Sequence, residues 1–173
     1  MSDAGSSVLR MSDDIVTTRP TTAAEVADLV RRAQRESLTI TVVAGGHGPW
    51  SQAPAPGMRI ELGALSGIEI EGLALDGEDA VVHIGGGAVW GDVAATLADD
   101  GLAISSGDTA SVGVGGLTLG GGIGWMVRSW GLAADQLVGA QVVTRPATSS
   151  RSPPTRTPIC SGRCAAAAAT SAS

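Results

Sequence analysis

The sequence predicts an α+β domain, on three observations. Short strand-like runs mix with two helical segments without the regular βαβ beat of a doubly wound sheet. Hydrophobic residues make up 43% of the chain, mostly Ala, Val, Leu and Ile with no Phe or Tyr. At 173 residues that is enough for about one domain with a real core. Finally, turn residues such as Asp76-Gly77 separate the strand candidates.

Taken in order, residues 1–14 form a polar arm with no periodicity, expected to be disordered. Thr22-Ala23-Ala24-Glu25 has the pattern of a capping box and opens a helix over 22–36. Val26, Leu29, Val30 and Ala33 share one face of it, with Arg31, Arg32 and Arg35 largely off that face. The run 38–44, β-branched and stopped by Gly45, predicts a buried strand. Strands are also expected over 58–62, 67–71 and 80–85, with Asp76-Gly77 as a turn. His83 alternates with apolar neighbours and reads as an exposed strand residue.

A second helix follows over 90–101, with Asp92 near its positive end and Gly101 as its C-terminal cap. A strand-like Leu102-Ala103-Ile104 leads into the glycine-dense segment 107–124, and 136–143 is the last expected strand. From 145 to 173 the chain is rich in Pro, Ser, Arg and Ala and has the composition of a disordered tail.

Charge and spacing exclude several classes. A net charge of −6 argues against a nucleic-acid partner, which needs a basic face. No apolar run is long enough to cross a bilayer, and the first twenty residues lack the plan of a signal peptide. A cytoplasmic protein is therefore expected. Cys160 and Cys164 have no histidine near them, so metal-ligand spacing is not met.

Two stretches carry the chemistry. In Val42–Trp50 a β-branched run ends at Gly45 and Gly46, followed by His47 and Gly48. Segment 107–124 places glycines at 107, 113, 115, 116, 120, 121, 122 and 124. Such density makes sense where main-chain N–H groups must face phosphates. A P-loop is excluded because no lysine follows the glycines, and Thr118 stands where the dinucleotide fingerprint after Gly113-x-Gly115 needs glycine. A flexible linker is the plain alternative. Val112, Val114, Leu117, Leu119 and Ile123, interleaved with the glycines, ask instead for burial and a structured loop.

Ala44–Gly48, Gly85–Val93 and Ser111–Thr144 together resemble the PCMH-type FAD-binding domain of the vanillyl-alcohol oxidase superfamily, in its berberine-bridge-enzyme-like branch. The resemblance spans 15–144 and implies the N-terminal part of that domain. It implies FAD as cofactor, held by Gly45, Gly46, His47 and Gly48 from the first loop. From the second it implies Gly107, Thr109, Ser111, Val112, Gly113, Gly115, Gly116, Leu117, Gly120, Gly121 and Gly122, with Val142 on the last strand. His47 matches the histidine that commonly bonds covalently to the flavin 8α-methyl, a task for a neutral imidazole.

Three positions depart from the pattern. Val43 stands where an arginine is frequent, Gly48 where a serine is, and Thr109 where doubly tethered members carry cysteine, which excludes a second covalent link. A flavin reductase of the cell-wall-precursor type shares the superfamily fold, but the Gly-Gly-His motif argues against it.

The family continues past the Val142-Val143-Thr144 strand, and this chain departs there. Back-translated with GC-rich codons and read one base earlier, 158–172 becomes Pro-Asp-Leu-Phe-Trp-Ala-Leu-Arg-Gly-Gly-Gly-Gly-Asn-Phe-Gly, a motif expected at this place. A frameshift near Thr144 is therefore expected. The substrate domain and general base would lie beyond it. Asp108 and Asp135 read as solvated turn carboxylates, so no catalytic residue is assigned. The expected function is the FAD-binding portion of an oxidoreductase, inactive alone. The competing expectation is a fragment that binds no cofactor.

Overall fold

The computed structural model describes residues 14–52, 56–73, 80–144, 148–152 and 165–172. The Asp76-Gly77 turn, both cysteines, most of the arm and much of the tail lie outside the described residues.

Two sheets organise the chain. The first is parallel: β1 (Ile15–Thr18) and β2 (Thr39–Val43) flank β3 (Gly57–Glu61), with Ile15 and Thr39 both opposite Gly57. The helix α1 (Ala23–Arg35) links β1 to β2. Its start follows the capping pattern in part. Thr22 Oγ1 accepts the Glu25 N–H at 3.1 Å, while the Glu25 carboxylate reaches back one residue further, to the Thr21 N–H at 2.7 Å. Val26, Ala27, Val30 and Ala33 of α1 pack with Met58, Ile60 and Leu62 into one core, and Leu29 is half-buried at its edge. Val143 of the other sheet joins the same core.

The second sheet is antiparallel, in the order β4-β5-β8-β6-β7. These strands are β4 (Ile68–Leu73), β5 (Ala80–Ile84), β6 (Leu137–Thr144), β7 (Thr148–Ser152) and β8 (Ala165–Ala172). Under it, α2 (Trp90–Asp99) buries Trp90, Val93 and Leu97 against Val82, Ile84 and Val114. The helix α2 ends at Gly101, with φ +71°. The Gly101 N–H bonds the Ala98 carbonyl and the Leu102 N–H bonds Leu97, which is a Schellman closure. His83 is exposed and pairs with Glu71 across the strands.

Four features differ from the sequence reading. β1 is an extra strand at the head of the domain, and with α1 and β2 it makes a parallel crossover where no βαβ beat is visible in sequence. Leu102–Ile104 forms no strand. The segment read as a structured loop contains a helix, α3 (Val114–Leu119), and a further turn of helix follows as α4 (Val127–Trp130). Beyond Thr144, where the reading has an unstructured stretch, β7 and β8 each pair with β6. β6 presents main-chain donors and acceptors along both edges, and such pairing makes no demand on side-chain type.

Candidate cofactor site

The loop after β2 meets the segment before α3 at a seam between glycines. A side chain on Gly45, just after β2, would put its Cβ 2.4 Å from the Gly113 nitrogen and 2.6 Å from the Ser111 carbonyl oxygen. A Cβ on Gly113 would lie 2.4 Å from the Gly45 nitrogen. Neither position admits even alanine without moving backbone. The loops carrying the two glycine stretches are therefore in direct contact.

The segment before α3 is fastened to the start of α2 like a strand. The Trp90 N–H bonds the Val112 carbonyl at 3.0 Å, Gly91 bonds Ala110 at 2.8 Å, and Val114 bonds Ala88 at 2.8 Å. α3 then runs past Gly86, whose carbonyl would lie 2.8 Å from a Cβ on Gly115. Close approach of Gly86 thus requires glycine at 115, inside a helix rich in residues of poor helix propensity.

Over this seam opens a cleft of about 690 Å³. Gly45, Gly46, His47, Gly48, Val112, Gly113, Gly115, Gly116, Leu117, Gly120 and Gly122 line it. The rest of the sequence-expected set sits off its wall: Gly107 and Thr109 before the seam, Ser111 beside it, Gly121 behind α3, and Val142 within β6. Ser111 is tied to the site all the same, its Oγ 2.9 Å from His47 Nε2.

Val42, Val43, Ala44, Trp50, Ser51, Leu62, Gly86 and Leu119 complete the wall and were not expected. Gly86 had a signal, the triple glycine at 85–87. Trp50 had one as well, standing three residues after His47, but nothing in the sequence distinguishes it from a surface turn residue. Pro49 begins a single 3₁₀ turn that holds it, and Trp50 is 81% exposed.

Among the described residues the wall carries no Asp, Glu, Lys or Arg. An anionic guest would have to be met by main-chain N–H groups, of which the first turn of a helix leaves several unused internally. Near the cleft, Asp108 accepts a hydrogen bond from the Thr109 hydroxyl at 3.0 Å and Asp135 accepts the Leu132 N–H at 2.8 Å. Both carboxylates are thus engaged in local turn structure. Among the described residues no group of three metal-binding side chains occurs, and no helix is long and apolar enough to cross a membrane.

Comparison with known proteins places this architecture. The family model described as "FAD binding domain" matches residues 15–149. This chain belongs to that FAD-binding domain family. (R)-6-hydroxynicotine oxidase of Paenarthrobacter nicotinovorans is 37% identical over 123 residues, covering 70% of this chain and 26% of that relative. The crystal structure of 6-hydroxy-D-nicotine oxidase from Arthrobacter nicotinovorans superposes with a TM-score of 0.72 at 34% identity, covering 79% of this chain and 29% of that one. BBE-like 1 of Physcomitrella patens does so at 0.70 with 26% identity, over 79% of this chain and 29% of its own. The chain therefore spans roughly a quarter of the length of the relatives it matches, and its berberine-bridge-like resemblance stands.

Whether the residues present suit FAD is tested by the glycines themselves. Most are explained by the protein's own geometry: a close approach at 45, 85, 87, 113 and 115, or a positive φ at 46, 121 and 122. On the cleft wall Gly116 and Gly120 are not, while Gly63 and Gly67, away from it, also face open space. Gly116 lies on the exposed side of α3 and Gly120, one helical turn on, caps its C-terminus, both on the cleft wall. A Cβ at Gly116 would meet nothing within 4 Å, and one at Gly120 would meet only ordinary contacts at 3.5 Å. Glycine in a helix costs about 1 kcal/mol relative to alanine. At Gly116 the chain bears that cost where its own packing does not require it, as expected if a ligand comes up against the helix backbone. The cleft fits an FAD-binding domain.

Proposed function

We propose that the chain is the cofactor-holding portion of an FAD-linked oxidoreductase whose parent oxidises a C–H or alcohol group of a small organic substrate. When bound, FAD would supply a two-electron redox centre, accepting hydride at N5 and passing the electrons to dioxygen. The protein's part is positioning. Gly46, His47 and Gly48 on one side of the seam, and Gly113, Gly116 and Gly120 on the other, would hold the cofactor mainly through backbone amides. His47 is exposed at the cleft, with Nδ1 not engaged by Ser111, and would carry the covalent bond to the 8α-methyl.

The open glycine face of α3 is the observation that carries this reading. Among the described residues the cleft wall carries no carboxylate that could serve as a general base. The 173-residue chain would accordingly bind flavin and turn over little or nothing. The reading frame we infer to shift near Thr144 would, in register, continue the domain. Genomic sequence through codon 144 tests this part, and a closed alternative frame would end it.

The cofactor reading is tested by titrating FAD into the purified chain and following flavin fluorescence, then precipitating with acid. Saturable quenching, with yellow colour retained in the pellet, is expected. A chain that folds yet leaves FAD fluorescence unchanged is the non-binding fragment, and the reading fails.

A further inference from the structure

The His47–Ser111 contact straddles the seam. His47 stands two residues after Gly45, Ser111 two before Gly113, and the two glycines touch backbone to backbone. Ser111 is no floating partner, because the chain on either side of it is bonded to α2 through Ala110 and Val112. The imidazole is exposed and, on its own loop, follows a glycine with φ +75°, so little else fixes its orientation. Its Nε2 lies 2.9 Å from Ser111 Oγ.

We propose that Ser111 is the positioning residue of His47. Its hydroxyl holds Nε2, keeps the proton on that nitrogen, and so presents the Nδ1 lone pair to the flavin. The proposal rests on the covalent reading of His47 above. In the net reaction the Nδ1–C8α bond forms while one C8α–H bond and the Nε2–H bond break. The two electrons pass through the flavin to a two-electron acceptor such as dioxygen, which leaves with both protons as hydrogen peroxide.

A hydroxyl suits both ends of this change because it accepts and donates. Before bonding it accepts the Nε2–H. Afterwards Nε2 holds a lone pair, and the same hydroxyl donates to it. Alanine could do neither and threonine could do both.

The chain has 2 histidines, which makes the test direct. Long-range ¹H–¹⁵N spectra of ¹⁵N-histidine-labelled chain at mildly alkaline pH report the tautomer of each ring, with His83→Gln for assignment. We expect His47 as the Nε2–H form, a mixture in Ser111→Ala, and His83 unchanged throughout. Mixed with FAD, the wild type should acquire acid-stable flavin and His47→Ala none. Ser111→Ala should acquire it about tenfold more slowly, as for a nucleophile that has lost its orientation, and Ser111→Thr should recover most of the rate. The rates are compared at saturating FAD, so that a change in reversible affinity does not enter them.

A wild-type His47 found as Nδ1–H overturns the proposal without any variant, even if Ser111→Ala does not fold. So does Ser111→Ala flavinylated at the wild-type rate. If the wild type binds FAD but never bonds it, the covalent reading falls and takes this proposal with it. That outcome is distinct from a serine variant that behaves like the wild type.

Discussion

Gly115 and Gly116 are adjacent on α3 and could not differ more in what they face. Gly115 is buried, with the Gly86 carbonyl where its Cβ would be, while Gly116 is exposed on the cleft wall with room for a methyl group. One glycine lets the protein approach itself and the other leaves a face of helix bare. Composition reports both as the same letter. Only the geometry separates glycines kept for the fold from glycines kept for a guest, and that separation can be broken by experiment.

The largest effect should come from the inward set. A Cβ at Gly87 would lie 1.7 Å from the Leu62 carbonyl oxygen, and one at Gly115 would lie 2.8 Å from that of Gly86. Both are clashes with backbone rather than with the tip of a side chain. Gly87→Ala should cost more than the roughly 1–3 kcal/mol of ordinary overpacking and leave little folded protein, with Gly115→Ala within that range. Circular dichroism melts check both. A Gly87→Ala chain that melts with the wild type would dissolve the distinction.

Next comes the outward set. Gly116→Ala should leave the melting temperature unchanged or raise it slightly, since alanine favours helix by up to about 1 kcal/mol. It should nonetheless weaken FAD binding by tenfold or more, about 1.4 kcal/mol, read by flavin fluorescence. Stability and affinity moving in opposite directions is the signature sought. If Gly116→Ala binds FAD as the wild type does, the bare face serves something else.

A smaller change is expected at Trp50, which meets the cleft with a side chain instead of bare backbone. Its indole forms an exposed apolar wall, and Gly48 is close enough that a Cβ there would sit 3.2 Å from indole Cδ1. Trp50→Ala should reduce FAD affinity severalfold, within the roughly 1–3 kcal/mol per base known for aromatic stacking, with no loss of stability. Trp50→Phe should retain most of it. Equal affinity in all three would remove the indole from the site.

How much of this was legible in the sequence depends on the range of the forces involved. α1 and the end of α2 were, because Thr22, Glu25 and Gly101 act on their own helices within a few residues. The two loops were visible as glycine clusters around His47 and Gly113. β1 was missed although Ile15, Val16, Thr17 and Thr18 are all β-branched, because so short a run shows no periodicity and its partner, Gly57–Ile60, lies some forty positions away. α3 was hidden because glycine predicts a loop, and the contact with Gly86 that requires glycine at 115 is not local in sequence. Trp50 was hidden for the opposite reason: its neighbours predict a turn correctly, but not what the turn overlooks.

The least effect, and the most discriminating for Trp50, is electrostatic. Arg59 bonds the Ser51 carbonyl at the end of the Trp50 turn, and its Nε lies 2.9 Å from Glu61 Oε1. Arg19 takes the other oxygen of Glu61 at 2.7 Å. Arg59 first, and Arg19 beside it, hold the Glu61 carboxyl below its ordinary value. A group lowered in the folded state contributes stability above its unfolded pKa and loses it as pH falls through the folded one. Acidification through and below the usual carboxylate range should therefore loosen the anchor of the Trp50 turn while α1 and α2 persist. Indole emission at Trp50, isolated by replacing the other three tryptophans with phenylalanine, should change in that window. Glu61→Gln should abolish the pH dependence, because its amide stays neutral across the window. The shift will be modest, since both oxygens of this pair compete with solvent and salt. If the Glu61→Gln chain shows the same acid transition as its parent, the Arg59 anchor does not govern the turn, and Trp50 is held by Pro49 and Gly48 alone.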